Sequence, residues 1–210
     1  RSLHVHPRDP AGRESLEPAH CAAALQALRA ACPGIPVGLS TGLWMVGDPR
    51  QRHRLVAAWE VLPDFVSINF AEPGWLELCR LAGEMGFGVE AGLASAEDAR
   101  RLAEADGLPL VRLLLEPKEQ DLEAAHAAVD AMLTVLEPLH PTLPRLLHGL
   151  DHTTWPLLER SLALGYEVRI GLEDTLTLPD GNPAPDNAAL VEYTVQRAQE
   201  AGSDQRSAIS

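Results

Sequence analysis

The chain alternates short apolar runs with single helix-like stretches from one end to the other, and this alternation constrains its fold more than any other feature. The apolar runs occupy residues 3–6, 34–40, 64–70, 86–92, 108–117, 143–149 and 166–174. Between them the pattern predicts helices over residues 17–31, 49–62, 74–85, 95–106, 119–136 and 153–165, with a last helix over 187–201. The helix at 95–106 opens on a capping-box pattern, Ser95 as N-cap with Asp98 at the third helical position. The runs are too short for buried helices and read as strands. A strand, one helix and another strand make a crossover connection, so the strands lie parallel and the helices cover the sheet.

Seven such units are legible, and no linker interrupts them. A closed (β/α)8 TIM barrel needs eight units and roughly 250 residues. The first run begins at Leu3 with no helix before it. The expectation is an α/β chain of the TIM-barrel class with its first βα unit missing, one domain over residues 1–202 and a disordered tail over 203–210. A doubly wound sheet is the alternative, but the glycine-rich phosphate turn it would carry after its first strand is not there.

Charge narrows the partners. Lys and Arg total 17 against 30 Asp and Glu, a net charge of −13, which argues against nucleic acid or an anionic membrane as the main partner. No apolar run approaches the roughly 20 residues of a membrane span. Cys21, Cys32 and Cys79 are odd in number and unpatterned. They read as reduced thiols of a cytoplasmic protein.

In a barrel the active site is built from the C-terminal ends of the strands. The polar residues there are His4 and His6, Ser40 and Thr41, Asn69, Glu90, Glu116, His148, and Arg169, Glu173 and Asp174. Strand side chains alternate, so His4 and His6 share a face, an arrangement suited to a divalent metal with zinc the first candidate. A third ligand is required, and Glu173 is the best placed, because alternation along "RIGLED" puts Arg169, Gly171 and Glu173 on one face. Glu90 lies among small and apolar residues in "GVEAG" and reads either as a buried base or as a salt-bridged structural acid. His148 in "LLHG" is a ligand or a core histidine. "LSTG" is a carboxylate pocket or a simple turn.

The stretches "HVHPRDPAGRESL", "VGLSTG", "VSINF", "VEAG" and "VRIGLEDTLTLPDGNPAPDNAALV", in this order, resemble the beta-keto acid cleavage enzymes, a family of zinc-dependent (β/α)8 barrels. The resemblance implies a reaction of a β-keto acid with acetyl-CoA that gives acetoacetate and a new acyl-CoA. It implies zinc on His4, His6 and Glu173, and substrate carboxylate contacts from Ser40, Thr41 and Asn69. Glu90 and Asp174 would be the proton-transfer pair, and Arg169 would stabilise charge near the thioester. A cytoplasmic homo-oligomer is the expected state. Two other readings stand beside this one. One is a metal-binding barrel without catalysis. The other is an amidohydrolase-like hydrolase, whose class also begins with HxH but calls for further histidines and a final aspartate.

Overall fold

The computed structural model describes residues 1–139 and 142–207, with residues 203–207 as backbone alone. Six strands alternate with helices: β1 (Leu3–Val5), α1 (Pro18–Ala31), β2 (Val37–Ser40), α2 (Pro49–Ala57), β3 (Phe65–Asn69), α3 (Trp75–Met85), β4 (Gly88–Leu93), α4 (Ala96–Ala103), β5 (Leu110–Leu115), α5 (Leu122–Leu136), β6 (Arg145–Leu147), α6 (Thr154–Ala163) and α7 (Asn187–Ser207). The strands neighbour one another in sequence order from β1 to β6, and β1 to β4 pair in parallel. A doubly wound sheet would reverse its strand order at a switch point; this sheet does not, which removes that alternative.

Contacts divide the chain into two compact units. The first is Arg1–Leu93 with Glu97–Leu113, and the second is Ala94–Ala96 with Leu114–Ser210. In the first unit, Val37, Leu39, Val66, Ile68, Val89 and Ala91 are fully buried, as expected of parallel strands covered on both faces. Helix α2 starts where its sequence says it should. The Asp48 side chain accepts a hydrogen bond from Gln51 N at 2.6 Å, and Pro49 takes the first helical position. Register places Ser40 opposite Ser67, and Ser67 opposite Glu90, in one row across β2, β3 and β4.

In the second unit, Val129, Met132, Leu136, Leu147 and Leu157 form the core. Helix α5 is capped by Asp121, whose side chain accepts from Ala124 N at 2.9 Å. Arg197 of α7 pairs with Glu159 of α6 at 2.7 Å.

Two sequence expectations are corrected here. The strand expected over residues 166–174 shrinks to a single parallel bridge, Glu167 with Leu146. Beyond it the chain turns back on itself, with the Gly171 carbonyl accepting from Asp174 N at 2.9 Å. The strand alternation assumed for Arg169, Gly171 and Glu173 therefore does not hold, because local turn bonds replace lateral pairing. The tail expected from residue 203 is helical backbone up to Ser207, the end of α7, while residues 208–210 lie outside the described residues. No proline stops the helix after Ala201, and the cost of Gly202, about 1 kcal/mol, is too small to end it. No described helix is long and apolar enough to cross a membrane.

Candidate functional site

The first unit carries a polar cluster built on β1, β3 and β4. The Nε2 atoms of His4 and His6 lie 3.2 Å apart. Each ring is held at its other nitrogen. His4 Nδ1 meets Ser67 Oγ at 3.0 Å, and His6 Nδ1 meets Glu14 Oε1 at 3.0 Å. Ser67 donates its one hydroxyl proton to Glu90 Oε1 at 2.5 Å, so it can only accept from His4. That places the proton of a neutral His4 on Nδ1 and a lone pair on Nε2. The Glu14 carboxylate draws the His6 proton to Nδ1 in the same way. Two Nε2 lone pairs then converge, an arrangement that repels unless an electrophile shares them. The donor set fits a divalent transition metal: two imidazole nitrogens, each ring fixed from behind.

Glu90 is fully buried. Besides Ser67 it accepts from Arg112 Nε at 2.7 Å and is ion-paired with that guanidinium. Arg112 also lies over the Phe65 ring, 5.3 Å from its centroid. Phe65 in turn needs Gly38, since a Cβ there would stand 2.2 Å from the ring. Both readings of Glu90 from sequence describe real properties: it is buried beside the histidines, and it is salt-bridged.

Ser40 and Thr41 are buried at the end of β2. The Thr41 hydroxyl donates to the Ser67 carbonyl at 2.7 Å, so its proton is used within the protein. Asn69 Nδ2 donates to Glu72 Oε1 at 3.1 Å. Behind them lies Arg52, 1% exposed. It is ion-paired with Glu72 and donates to the carbonyls of Thr41 at 3.2 Å and Pro73 at 2.8 Å. This buried brace holds the loop after β2 against the end of β3.

The second unit carries its own cluster around the turn that ends in Asp174. Arg169 Nη2 donates to Glu173 Oε1 at 2.5 Å and to Asp174 Oδ1 at 3.2 Å. Asn187 Oδ1 accepts from Leu172 N at 3.0 Å, and Thr154 Oγ1 donates to the Asp174 carbonyl at 3.1 Å, so both neighbouring helices fix the turn. Asp174 is 1% exposed, yet among the described residues its Oδ2 has no hydrogen-bond partner. A buried carboxylate oxygen without a donor is costly, and such atoms mark sites where a ligand or proton is expected.

His148 sits beside Asp174, with its Nδ1 3.4 Å from Asp174 Oδ1 and its Nε2 2.9 Å from Glu116 Oε2. Burial, helped by the charge on Arg169, pushes the imidazole down to about 4 against the pull of Asp174 and the Gly149 carbonyl. Glu116 also pairs with Lys118. Both ring nitrogens are engaged within the protein, Nδ1 by the Gly149 carbonyl at 3.2 Å and Nε2 by Glu116, so His148 stands nearer the core reading than the ligand reading.

Sequence reasoning passed over Glu14, Ser67, Arg112, Arg52 and Glu72. Ser67 could have been found, since it lies two positions before Asn69 and shares its strand face. Arg112, a lone cation inside an apolar strand, was a second signal. Nothing in the local sequence points to Arg52 or Glu72 together.

A family model described as beta-keto acid cleavage enzyme matches residues 2–104 and 109–208. Among curated proteins no significant match is found. Solved structures of similar fold include "Ternary complex of ObcA with C4-CoA adduct and oxalate", with TM-score 0.76 and 16% identity, covering 96% of this chain and 60% of that one. "Apo structure of ObcA" has TM-score 0.73 and 16% identity, covering 97% and 58%. "Binary complex of ObcA with oxaloacetate" has TM-score 0.70 and 16% identity, covering 97% and 60%. The chain thus spans about 60% of the length of these structures.

Proposed function

The chain belongs to the beta-keto acid cleavage enzyme family, and on that premise we propose that it is a zinc-dependent acyltransferase of the (β/α)8-barrel class. It would act on a β-keto acid and acetyl-CoA to give acetoacetate and a new acyl-CoA. The observation that carries this reading is the His4–His6 pair, each ring fixed at Nδ1 with its Nε2 turned to the other at 3.2 Å. His4, His6 and Glu173 are the proposed zinc ligands. Bound zinc would supply Lewis acidity toward the keto oxygen of the substrate. Further support comes from the neighbouring fold that was solved with oxaloacetate, a β-keto acid, and with a CoA adduct.

The protein's own residues divide the remaining work. Asp174 offers Oδ2, which has no hydrogen-bond partner among the described residues, as the base that takes a proton from the methylene between the two carbonyls. Arg169 holds Asp174 and Glu173 and places positive charge where the thioester carbonyl becomes anionic. Glu90 is the second acid of the proton-transfer pair, its charge met by Arg112. Ser40, Thr41 and Asn69 hold the substrate carboxylate. The carbanion attacks the acetyl carbon, a C–C bond forms and the CoA thiolate leaves. The thiolate then attacks the original keto carbon, the bond from that carbon to the former methylene breaks, and the carbanion so formed takes back the proton held by Asp174, releasing acetoacetate. The protein is proposed to work in the cytoplasm as a homo-oligomer.

The test is zinc content by elemental analysis, with acyl-CoA formation measured across a panel of β-keto acids. The expected result is about one zinc per chain and acetyl-CoA-dependent turnover, both lost in a His4→Ala/His6→Ala double variant. Zinc retained by that variant would remove the assignment of the ligands. Zinc-loaded wild type that turns over no member of the panel would favour a metal-binding barrel without catalysis.

A further inference from the structure

Glu14 stands eight residues beyond His6, outside every strand, and makes three contacts. Its Oε1 meets His6 Nδ1 at 3.0 Å and lies 3.6 Å from Arg8 Nη2. Its Oε2 accepts from the Trp44 indole at 2.7 Å. Trp44 in turn stacks beside the His6 ring, with centroids 6.1 Å apart and planes at 27°. Its indole lies where a side chain on residue 42 would be, since a Cβ on Gly42 would stand 2.2 Å from it. The loop that carries Glu14 is itself tied down. Arg8 donates to the Gly12 carbonyl at 2.7 Å, and Asp9 Oδ1 accepts from the amides of Ala11 and Arg13, both at 2.9 Å.

From this geometry we infer that Glu14 is a positioning residue: it fixes the tautomer and ring orientation of His6, and through them sets the protein's affinity for a divalent metal. The inference rests on the metal reading given above. His6 lies one residue past the end of β1. His4, within β1, has Ser67 of β3 at its Nδ1. For His6 the corresponding hold comes from Glu14. A carboxylate on Nδ1–H keeps the proton there, leaves Nε2 as the donor atom and raises its basicity. Trp44 holds the other carboxylate oxygen and one side of the ring, so rotation of either group breaks a contact of the other. Removing such a carboxylate typically costs about 10–100-fold in metal affinity.

The test uses the full chain and zinc itself. Glu14→Gln keeps the side-chain volume and removes the charge. Zinc affinity is read by competition with a chromophoric chelator. In metal-free protein the His6 tautomer is read from its ring ¹⁵N shifts, a signature that a purely structural role would not move. Glu17→Gln, an exposed carboxylate on the same segment, controls for the loss of charge, and thermal melting controls for folding. The expected result is a fall of about 10–100-fold in zinc affinity for Glu14→Gln, with the His6 proton redistributed toward Nε2 and with Glu17→Gln within twofold of wild type. Wild-type affinity and tautomer in Glu14→Gln would overturn the role of Glu14 and leave the metal reading standing. An equal fall in Glu17→Gln would reduce the effect to net charge and overturn the role as well. Wild type that takes up no zinc would overturn both.

Discussion

Acid should destabilise this protein through His148. In the folded chain this imidazole is held down to about 4, chiefly by burial and then by Arg169, while in the unfolded chain it returns to its ordinary 6.5. Between those values the unfolded state binds a proton that the folded state refuses. Stability from this group is therefore complete above about pH 6.5 and is lost as the pH falls toward 4. The full difference corresponds to about 3 kcal/mol, of which about 2 kcal/mol is gone by pH 5. Against a typical domain stability of about 5–15 kcal/mol this is readily measured. The assay is urea unfolding at intervals from pH 7.5 to pH 5, on wild type and His148→Gln. The variant keeps an amide toward Glu116 and has nothing to protonate. Its baseline stability can differ, but its slope over the window should be flatter by about 2 kcal/mol. Parallel slopes would show that His148 does not enter the folded state neutral, and the placement of its charge beside Asp174 would have to be redrawn.

Four further outcomes are expected. Glu90→Gln and Asp174→Asn should keep zinc yet, assayed at a temperature where each variant remains folded, lose roughly 10²–10⁴-fold in acetoacetate formation; wild-type turnover in either would remove that residue from proton transfer. Arg52→Met should cost about 3–5 kcal/mol in chemical denaturation, because it strands Glu72 without its guanidinium; a loss below about 1 kcal/mol would mean that water reaches the pair freely. Gly42→Ala should push the exposed Trp44 indole off Glu14, raising acrylamide quenching of tryptophan emission with little change in stability, and unchanged quenching would contradict the packing described. Burial pushes the thiols of Cys21 and Cys79 up to about 12. A thiol reagent at neutral pH should therefore label Cys32 alone in the native protein, and rapid labelling of a second thiol would contradict their burial.

Much of this protein is legible in its sequence. Among the described residues, the order and type of the six strands and seven α-helices follow from apolar period and breakers, because local pattern decides whether a segment can bury one face. The HxH pair is legible for the same reason: a period of two holds over three residues whatever surrounds them. The limits appear where partners are remote in sequence. Residues 166–174 have the composition of a strand, but pairing with β6 holds only at Glu167, and beyond it the turn at Gly171 sets where Arg169, Glu173 and Asp174 point. Whether Glu90 is an isolated acid or a paired one depends on Arg112, 22 residues away on the next strand. Likewise, the orientation of His6 depends on a carboxylate eight residues on and an indole thirty residues beyond that. Sequence alone determined which residues reach the ends of β1 to β6, since backbone period is a local property. Only the tertiary structure decided which of them are already bonded to one another and which, like Asp174 Oδ2, have no hydrogen-bond partner among the described residues, because hydrogen-bond partners are chosen by packing.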